Sequence, residues 1–301
     1  MIYSVEVTNY LGDSLMLELA NPWECGLAVT SITGLGPGKA NINVTDISTS
    51  DGSLYNSARL NKRNIVIKIK LLEAPTIEAS RHRMYEFFPI KRKVKLKFNT
   101  DEREVITEGY VEKNEPNIFS NNEESQISII CPDPYFYSTK TQTMYIGGVD
   151  PKFEFEFENE DPVLPTINMG DIQLDTRRNI FYEGDDEVGM IFTIYATGTV
   201  RDLAIYNIST KEHMRIDDKR LTILTGSHFI KGDKIVISTE KNNKFAMLER
   251  DGWEYNILNA IEKDSDWFSI HKGYNAFGYT VSEGNEYLKF IVTNKILYEG
   301  I

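Results

Sequence analysis

The side chains best equipped for chemistry are carboxylates, cysteines, histidines and one glycine-rich loop, and their spacing decides what each could do. Glu154, Glu156, Glu158, Glu160 and Asp161 crowd many carboxyl groups into one stretch. A glycosidase needs two carboxyl groups about 5–9 Å apart across a cleft. Alternate strand residues lie about 6.6–6.8 Å apart, but these would all face the same solvent, and nothing would hold a proton on one of them. They read as a solvated strand face. Asp185, Asp186 and Glu187 beside Gly184 lack the pattern of an EF-hand calcium loop and read as a surface turn. His82, His213, His228 and His271 are scattered singly, and neither Cys25 nor Cys131 has a neighbouring cysteine or histidine. Cys131, at a strand end before Pro132, reads as a small buried hydrophobe rather than a nucleophile. Gly34-Leu35-Gly36-Pro37-Gly38-Lys39 matches neither phosphate-binding spacing, and Pro37 removes one amide that such a cradle would use. These patterns point away from an enzyme, with no catalytic residue, metal or cofactor expected.

Surface recognition is the remaining chemistry. Lys91, Lys93, Lys95 and Lys97 fall on one face of one strand. Four ammonium groups in a row repel one another unless they are exposed or meet an acidic partner. They read either as an edge strand guarded against aggregation or as a docking strip for an acidic neighbour. Trp253 and Trp267 flank a second expected helix. Exposed, they could stack on sugars; core packing is the commoner use of tryptophan.

The elements that must position these residues are mostly strands. Ile65, Ile67, Ile69 and Leu71 alternate with Val66, Lys68, Lys70 and Leu72. Val94, Leu96 and Phe98 alternate with the lysines, and Phe153, Phe155 and Phe157 with the glutamates. Period-two alternation marks one buried and one wet face, as in antiparallel sheets. Further strands are expected at residues 42–48, 105–111, 190–196, 203–208, 221–224, 234–238, 244–248 and 287–292. Asp51-Gly52, Gly147-Gly148, Lys231-Gly232-Asp233 and Asp251-Gly252 mark turns. One helix begins after the N-cap Thr76, presents Ile77, Met84 and Phe88 on one face, and stops at Pro89. A second is expected over residues 255–262.

The chain has 301 residues, 41% hydrophobic and 26% charged, the composition of an ordinary globular protein of about two domains. Met1-Ile2-Tyr3-Ser4-Val5-Glu6 has no basic region before an apolar core, so no signal peptide is expected. No apolar run approaches a membrane span, and two cysteines make no disulfide framework. Synthesis in a reducing cytoplasm is the simple reading. Net charge is −12. Residues 1–138 carry 15 basic and 18 acidic side chains, net −3, and residues 139–301 carry 18 and 27, net −9. Such a chain is a poor sequence-independent binder of nucleic acid.

The two parts meet near Cys131-Pro132-Asp133-Pro134-Tyr135-Phe136-Tyr137. Each proline fixes φ and biases its predecessor toward an extended path, so a strand must end there and leave its sheet stiffly. This corner resembles the segment that closes the N-terminal domain of the distal tail (Dit) proteins of long-tailed phages. Asp51-Gly52-Ser53 before Arg63-Asn64-Ile65-Val66-Ile67 is similar to that family's loop and following strand. Residues 83–88 with Pro89-Ile90-Lys91 are similar to its single helix, and Gly109-Tyr110-Val111 to the next strand. Thr197-Gly198-Thr199-Val200, Leu203-Ala204-Ile205-Tyr206-Asn207, Lys231-Gly232-Asp233-Lys234-Ile235, Asn256-Ile257-Leu258, Ser265-Asp266-Trp267-Phe268 and Lys272-Gly273-Tyr274-Asn275 follow in family order.

The resemblance implies a mainly β protein in two parts. Residues 1–138 would be a β-sandwich-like ring, or belt, domain with one helix. Residues 139–301 would be a galectin-like, carbohydrate-module-like β-sandwich outside the ring. It implies a virion component of the tail tip, a homo-oligomer, normally a hexamer. Its partners would be the tail tube protein and the hub, tail-associated lysin or tail fibre protein. Six copies of a −12 chain carry −72, and an acidic lumen would let exiting DNA slide without specific binding. Lys91, Lys93, Lys95 and Lys97 are then the candidate interface. Cys131, Pro132, Pro134, Tyr135 and Phe136 are the candidate inter-domain hinge, and Trp253 and Trp267 the candidate glycan contacts. The rival functions are a carbohydrate-binding module for host cell walls and a polysaccharide-cleaving enzyme. The second would need a convergent carboxylate pair with one member in an apolar pocket.

Overall fold

The computed structural model describes residues 1–47, 51–120, 122–146, 148–151, 170–173 and 176–301. The expected strand through Phe153, Phe155 and Phe157, with its glutamates, lies outside the described residues, as does Gly147. The strands in chain order begin with β1 (Ile2–Thr8), β2 (Ser14–Glu18), β3 (Leu27–Thr33), β4 (Ala40–Asp46), β5 (Ser53–Leu60) and β6 (Arg63–Leu71). After helix α1 (Ile77–Phe87) come β7 (Lys93–Thr100), β8 (Glu104–Pro116), β9 (Glu124–Cys131) and β10 (Phe136–Ile146). Then follow β11 (Gly148–Pro151), β12 (Gly170–Gln173), β13 (Arg177–Tyr182), β14 (Ile191–Ala196), β15 (Ala204–Asn207) and β16 (Glu212–Arg215). Helix α2 (Asp218–Thr225) precedes β17 (Lys234–Ser238), β18 (Phe245–Arg250), β19 (Trp253–Asn256), β20 (Gly273–Thr280) and β21 (Leu288–Tyr298). The chain is mainly β.

Contacts divide it into two compact units, Met1–Thr139 with Leu297–Ile301, and Lys140–Ile296. The sequence places the whole of 139–301 in one part, whereas the last five residues return to the first unit. They do so because long-range contacts hold them there. The Ile301 amide donates to the Leu35 carbonyl at 3.1 Å, and the Arg103 guanidinium lies 4.4 Å over the Tyr298 ring.

In the first unit the strands run antiparallel in the order β3-β6-β9-β8-β7-β1-β2. The alternation read from sequence sets the core: Ile65, Ile67, Ile69, Leu71, Val94, Leu96 and Phe98 are all buried. Each such side chain contributes about 1.5–3 kcal/mol on leaving water. Helix α1 starts where expected. Thr76 Oγ1 accepts from the Ala79 amide at 3.1 Å, and Ser80, Met84 and Phe87 face inward.

The second unit packs two antiparallel sheets, β13-β20-β15-β16 and β19-β18-β17-β14-β21. Phe268 sits between them, with its ring centroid 5.8 Å from Phe192 of β14 and 5.9 Å from Phe277 of β20.

One strand expectation and one helix expectation change. Residues 221–224, read as a strand from their β-branched run, lie in α2. Asp217 caps it by accepting from the Lys219 and Arg220 amides, and Gly226 ends it at φ 82°. The helix expected over residues 255–262 is one 3₁₀ turn, Leu258–Ala260. The β18–β19 hairpin claims Trp253–Asn256, and Asn256 Oδ1 accepts from the Leu258 amide at 3.0 Å, which turns the chain before a helix can start.

Candidate functional site

Strands β4 and β5 form a two-stranded ribbon separate from the large sheet, and all but Leu60 of its strand residues are exposed. Residues directly opposite in a pair share one face. The pairs Ala40–Leu60, Ile42–Ala58 and Val44–Tyr55 therefore form an apolar face, and Asn41–Arg59, Asn43–Ser57 and Thr45–Leu54 a more polar one. The register shift between Asn43 and Val44 keeps Tyr55 on the apolar side. Ile42 and Tyr55 are 60% and 63% exposed. An isolated two-stranded ribbon is marginal in water, and this one shows its apolar face to solvent.

The ribbon's root is built differently. Arg63 opens β6, three residues after the ribbon ends, and is buried. Its Nε donates to the Pro134 carbonyl, one Nη to the Gly34 and Gly36 carbonyls, and the other Nη to the Glu299 carbonyl, all at 2.6 Å. The guanidinium also lies 4.4 Å over the Phe136 ring. A buried cation held by neutral carbonyls keeps most of its desolvation cost, and burial accordingly pulls the Arg63 pKa down. What it gains is geometric. One planar group ties the loop before the ribbon, the strand after it, the proline corner and the returning C-terminal segment. The glycine-rich loop thus presents carbonyls, the wrong polarity for a phosphate. Gly34 has φ +87°, and a Cβ there would sit 2.1 Å from the Asn64 carbonyl oxygen.

The proline corner lies wholly in the first unit. Cys131 and Phe136 are fully buried, and Phe136 meets Phe98 edge-on at 6.0 Å. Asp133 accepts from the Tyr135 amide at 3.2 Å and from the Tyr137 hydroxyl at 2.6 Å. Cys131 is the direct cross-strand partner of Arg63. Burial pushes its thiol up, against opposing effects of a Thr107 hydrogen bond and Arg63. That is the opposite of an activated thiolate.

Lys91 precedes β7, in a left-handed turn at φ 66°, so only Lys93, Lys95 and Lys97 share a strand face, and that strand is not an edge: β7 lies between β1 and β8. Lys93 pairs with Glu108 at 2.6 Å and Lys97 with Glu104 at 3.1 Å, while Lys91 and Lys95 have no ion-pair partner among the described residues. Trp253 is 72% exposed on β19, against the expectation of a core role, because the tight turn at Asp251 and Gly252 puts it on the rim. Trp267 is half-buried against the core, with Lys244 Nζ 5.7 Å from its ring centroid.

Sequence reading missed two features. Arg63 gave no signal beyond a lone basic residue before an alternating strand. The second is an open cleft of about 590 Å³ in the second unit, beside Tyr206, Arg215, Asp218, Glu262 and Thr280. Hydrogen bonds to Thr280 and Arg215 hold the Tyr206 phenol below its usual pKa. No group of three or more histidine, cysteine or acidic side chains suited to a metal occurs among the described residues. No helix is long and apolar enough to cross a membrane.

No protein-family model matches the sequence, and no curated protein does. Solved structures do. The crystal structure of the SPP1 Dit (gp 19.1) protein, described as a paradigm of the hub adsorption apparatus in phages infecting Gram-positive bacteria, aligns with a TM-score of 0.65 at 11% identity. The alignment covers 97% of this chain and 99% of that one. A chain of the phage P2 baseplate activated with Ca aligns with a TM-score of 0.49 at 12% identity, covering 98% of each chain. A chain of the Sr-activated baseplate aligns with a TM-score of 0.47, also at 12% identity, covering 97% of each. From end to end, then, this chain has the fold of a phage distal tail protein.

Proposed function

We propose that this protein is a non-enzymatic structural component of a phage tail tip. It is a ring-forming adaptor between the tail tube and the hub or receptor-binding apparatus. The observation that carries this reading is the β4–β5 ribbon. Its apolar face is uncovered among the described residues, and such a face marks an interaction surface; a clamped root fixes where the ribbon starts on the first unit. A contact in which the ribbon of one copy lies on a different patch of the next is heterologous, and such contacts close into rings. The first unit supplies the ring, with six copies as in the family. The unpaired Lys91 and Lys95 face acidic groups of a neighbour, and the lumen passes DNA without specific binding. The second unit is the galectin-like sandwich. The fold shared with SPP1 Dit supports the tail-tip role.

The test is mass by light scattering on the full chain, alone and with the cognate tube protein, together with negative-stain imaging. A ring of about six copies is expected in at least one condition. Ile42→Asp with Tyr55→Asp should return the protein to monomer with an unchanged melting curve. A wild type that stays monomeric in both conditions, or a double variant that still forms rings, overturns the reading.

A further inference from the structure

The strand order of the first unit, β3-β6-β9-β8-β7-β1-β2, leaves two open edges, and they are built differently. β3 is guarded. Its register against β6 shifts between Val29 and Ser31, and it shows Thr30, Ser31 and Thr33 to solvent. A bulge and a polar rim of this kind turn an edge away from further pairing. β2 pairs with β1 in unbroken register from Ser14 to Glu18, and its other side pairs with no strand among the described residues. It carries no lysine, no proline and no bulge. Exposed apolar side chains accompany it from end to end: Leu11 in the turn before it, Met16 on it, Leu19 and Trp23 after it, with Leu11 and Trp23 more than half exposed.

Charge distinguishes this edge as well. Residues 1–38 contain Glu6, Asp13, Glu18 and Glu24 and no lysine or arginine. The β4–β5 ribbon has the opposite sign at its root. Lys39, Arg59 and Lys62 lie there, and its acids, Asp46 and Asp51, lie at the tip. Glu18, Glu24 and Arg59 have no ion-pair partner among the described residues. The lengths also agree. β4 has seven residues, β5 eight and β2 five, so at about 3.4 Å per residue either ribbon strand spans the whole of β2. Within one chain the ribbon and β2 belong to separate sheets and do not pair. Between copies they are two different surfaces, which is what a heterologous contact requires.

Resting on the ring reading above, we propose that the patch which receives the ribbon is the β2 edge of the next copy. The ribbon adds to that edge as a further pair of strands, with main-chain hydrogen bonds along β2. Its apolar face, Ile42 and Tyr55 foremost, covers Leu11, Met16 and Trp23, and Arg59 meets Glu18 and Glu24. The apolar contact holds the two copies together, and the opposite charges set the direction in which the ribbon lies. Each copy gives its ribbon once and its edge once, so the contact passes from copy to copy around the ring.

The experiment mixes two broken copies of the full chain. The edge variant carries Leu11→Lys, Met16→Lys and Trp23→Lys, and the ribbon variant carries Ile42→Asp and Tyr55→Asp. In the condition in which the wild type forms rings, each variant alone should be monomeric by light scattering, with an unchanged melting curve. Mixed in equal amounts, they should give a one-to-one dimer and nothing larger, because one intact ribbon and one intact edge remain. Arg59→Glu should weaken assembly about tenfold, and adding Glu18→Arg with Glu24→Arg should restore it. This charge exchange tests the same contact without touching an apolar residue. Rings formed by the edge variant overturn the proposal and leave the ring reading standing. So does a mixture that stays monomeric, or a charge reversal that the exchange fails to rescue. A wild type that forms no ring overturns both.

Discussion

The β4–β5 ribbon and the outer face of the β13-β20-β15-β16 sheet are both exposed β surfaces, and they expose opposite things. The ribbon shows paired apolar side chains with a polar back. The sheet face shows aromatic rings, small residues and polar groups that bond to one another, Arg215 Nη to the Tyr206 hydroxyl at 3.3 Å among them. Apolar area left in water is a standing cost until a partner covers it, which suits a contact made once and kept. Polar groups that bond to one another or to water carry no such cost.

The comparison can be broken most severely through the charges that hold each unit together. In the second unit Arg250 donates to Asp233 at 2.6 and 2.8 Å, and Asp233 is 1% exposed. Arg250→Ala leaves that carboxylate buried without its cation and should cost about 3–5 kcal/mol, read as a lower calorimetric transition for this unit. Ring assembly should survive in the fraction still folded. Arg63→Ala makes the converse test at the ribbon root. It removes four hydrogen bonds from a charged donor, each worth about 1.5–3 kcal/mol, and should lower the first unit's transition and weaken assembly together. Assembly at wild-type strength in that variant would show that the ribbon does not need its clamp.

A smaller effect concerns the cleft. Burial raises the Asp218 carboxyl above its usual value, against a backbone hydrogen bond at Asp202 and the charges of His228, 3.3 Å away, and Arg201, while the Asp202 charge adds to the rise. Folded Asp218 therefore holds its proton to a higher pH than the unfolded chain does. Its contribution to stability is complete below the ordinary carboxylate pKa and is lost as pH rises through the raised one. Asp218→Asn should remove that slope from melting temperatures measured between acid and neutral pH, and an unchanged slope would contradict it. The smallest effect is expected at the lysine strip. Exchanging Lys93 and Glu108 should change stability by less than about 0.5 kcal/mol, because both are exposed. Lys95→Glu, which breaks no such pair, should instead weaken assembly if that lysine meets a neighbour.

Most of the fold was legible because burial imposes a period. The alternating apolar residues of β6 and β7 announced strands, and Thr76 with Pro89 bounded the first helix. The ribbon was half legible. Ile42 and Val44 alternate, but the register shift puts Tyr55 and Ala58 out of simple alternation on β5. Helix α2 was missed because Leu221, Thr222, Ile223 and Leu224 look like strand, although Asp217 and Gly226 were present as caps. The cleft and the Arg63 cage were not legible, since both join residues far apart in sequence. Arg63 and Glu299 are 236 positions apart.

That separation also sets an order of events. During synthesis the first 139 residues leave the ribosome long before Glu299 does. Until then one side of the Arg63 cage is open, and the Gly34–Gly36 loop lacks the Ile301 contact at Leu35. The ribbon's root is therefore finished last, after the second unit has been made. A nascent chain that carries the exposed ribbon cannot fix its direction until nearly the whole molecule has been built.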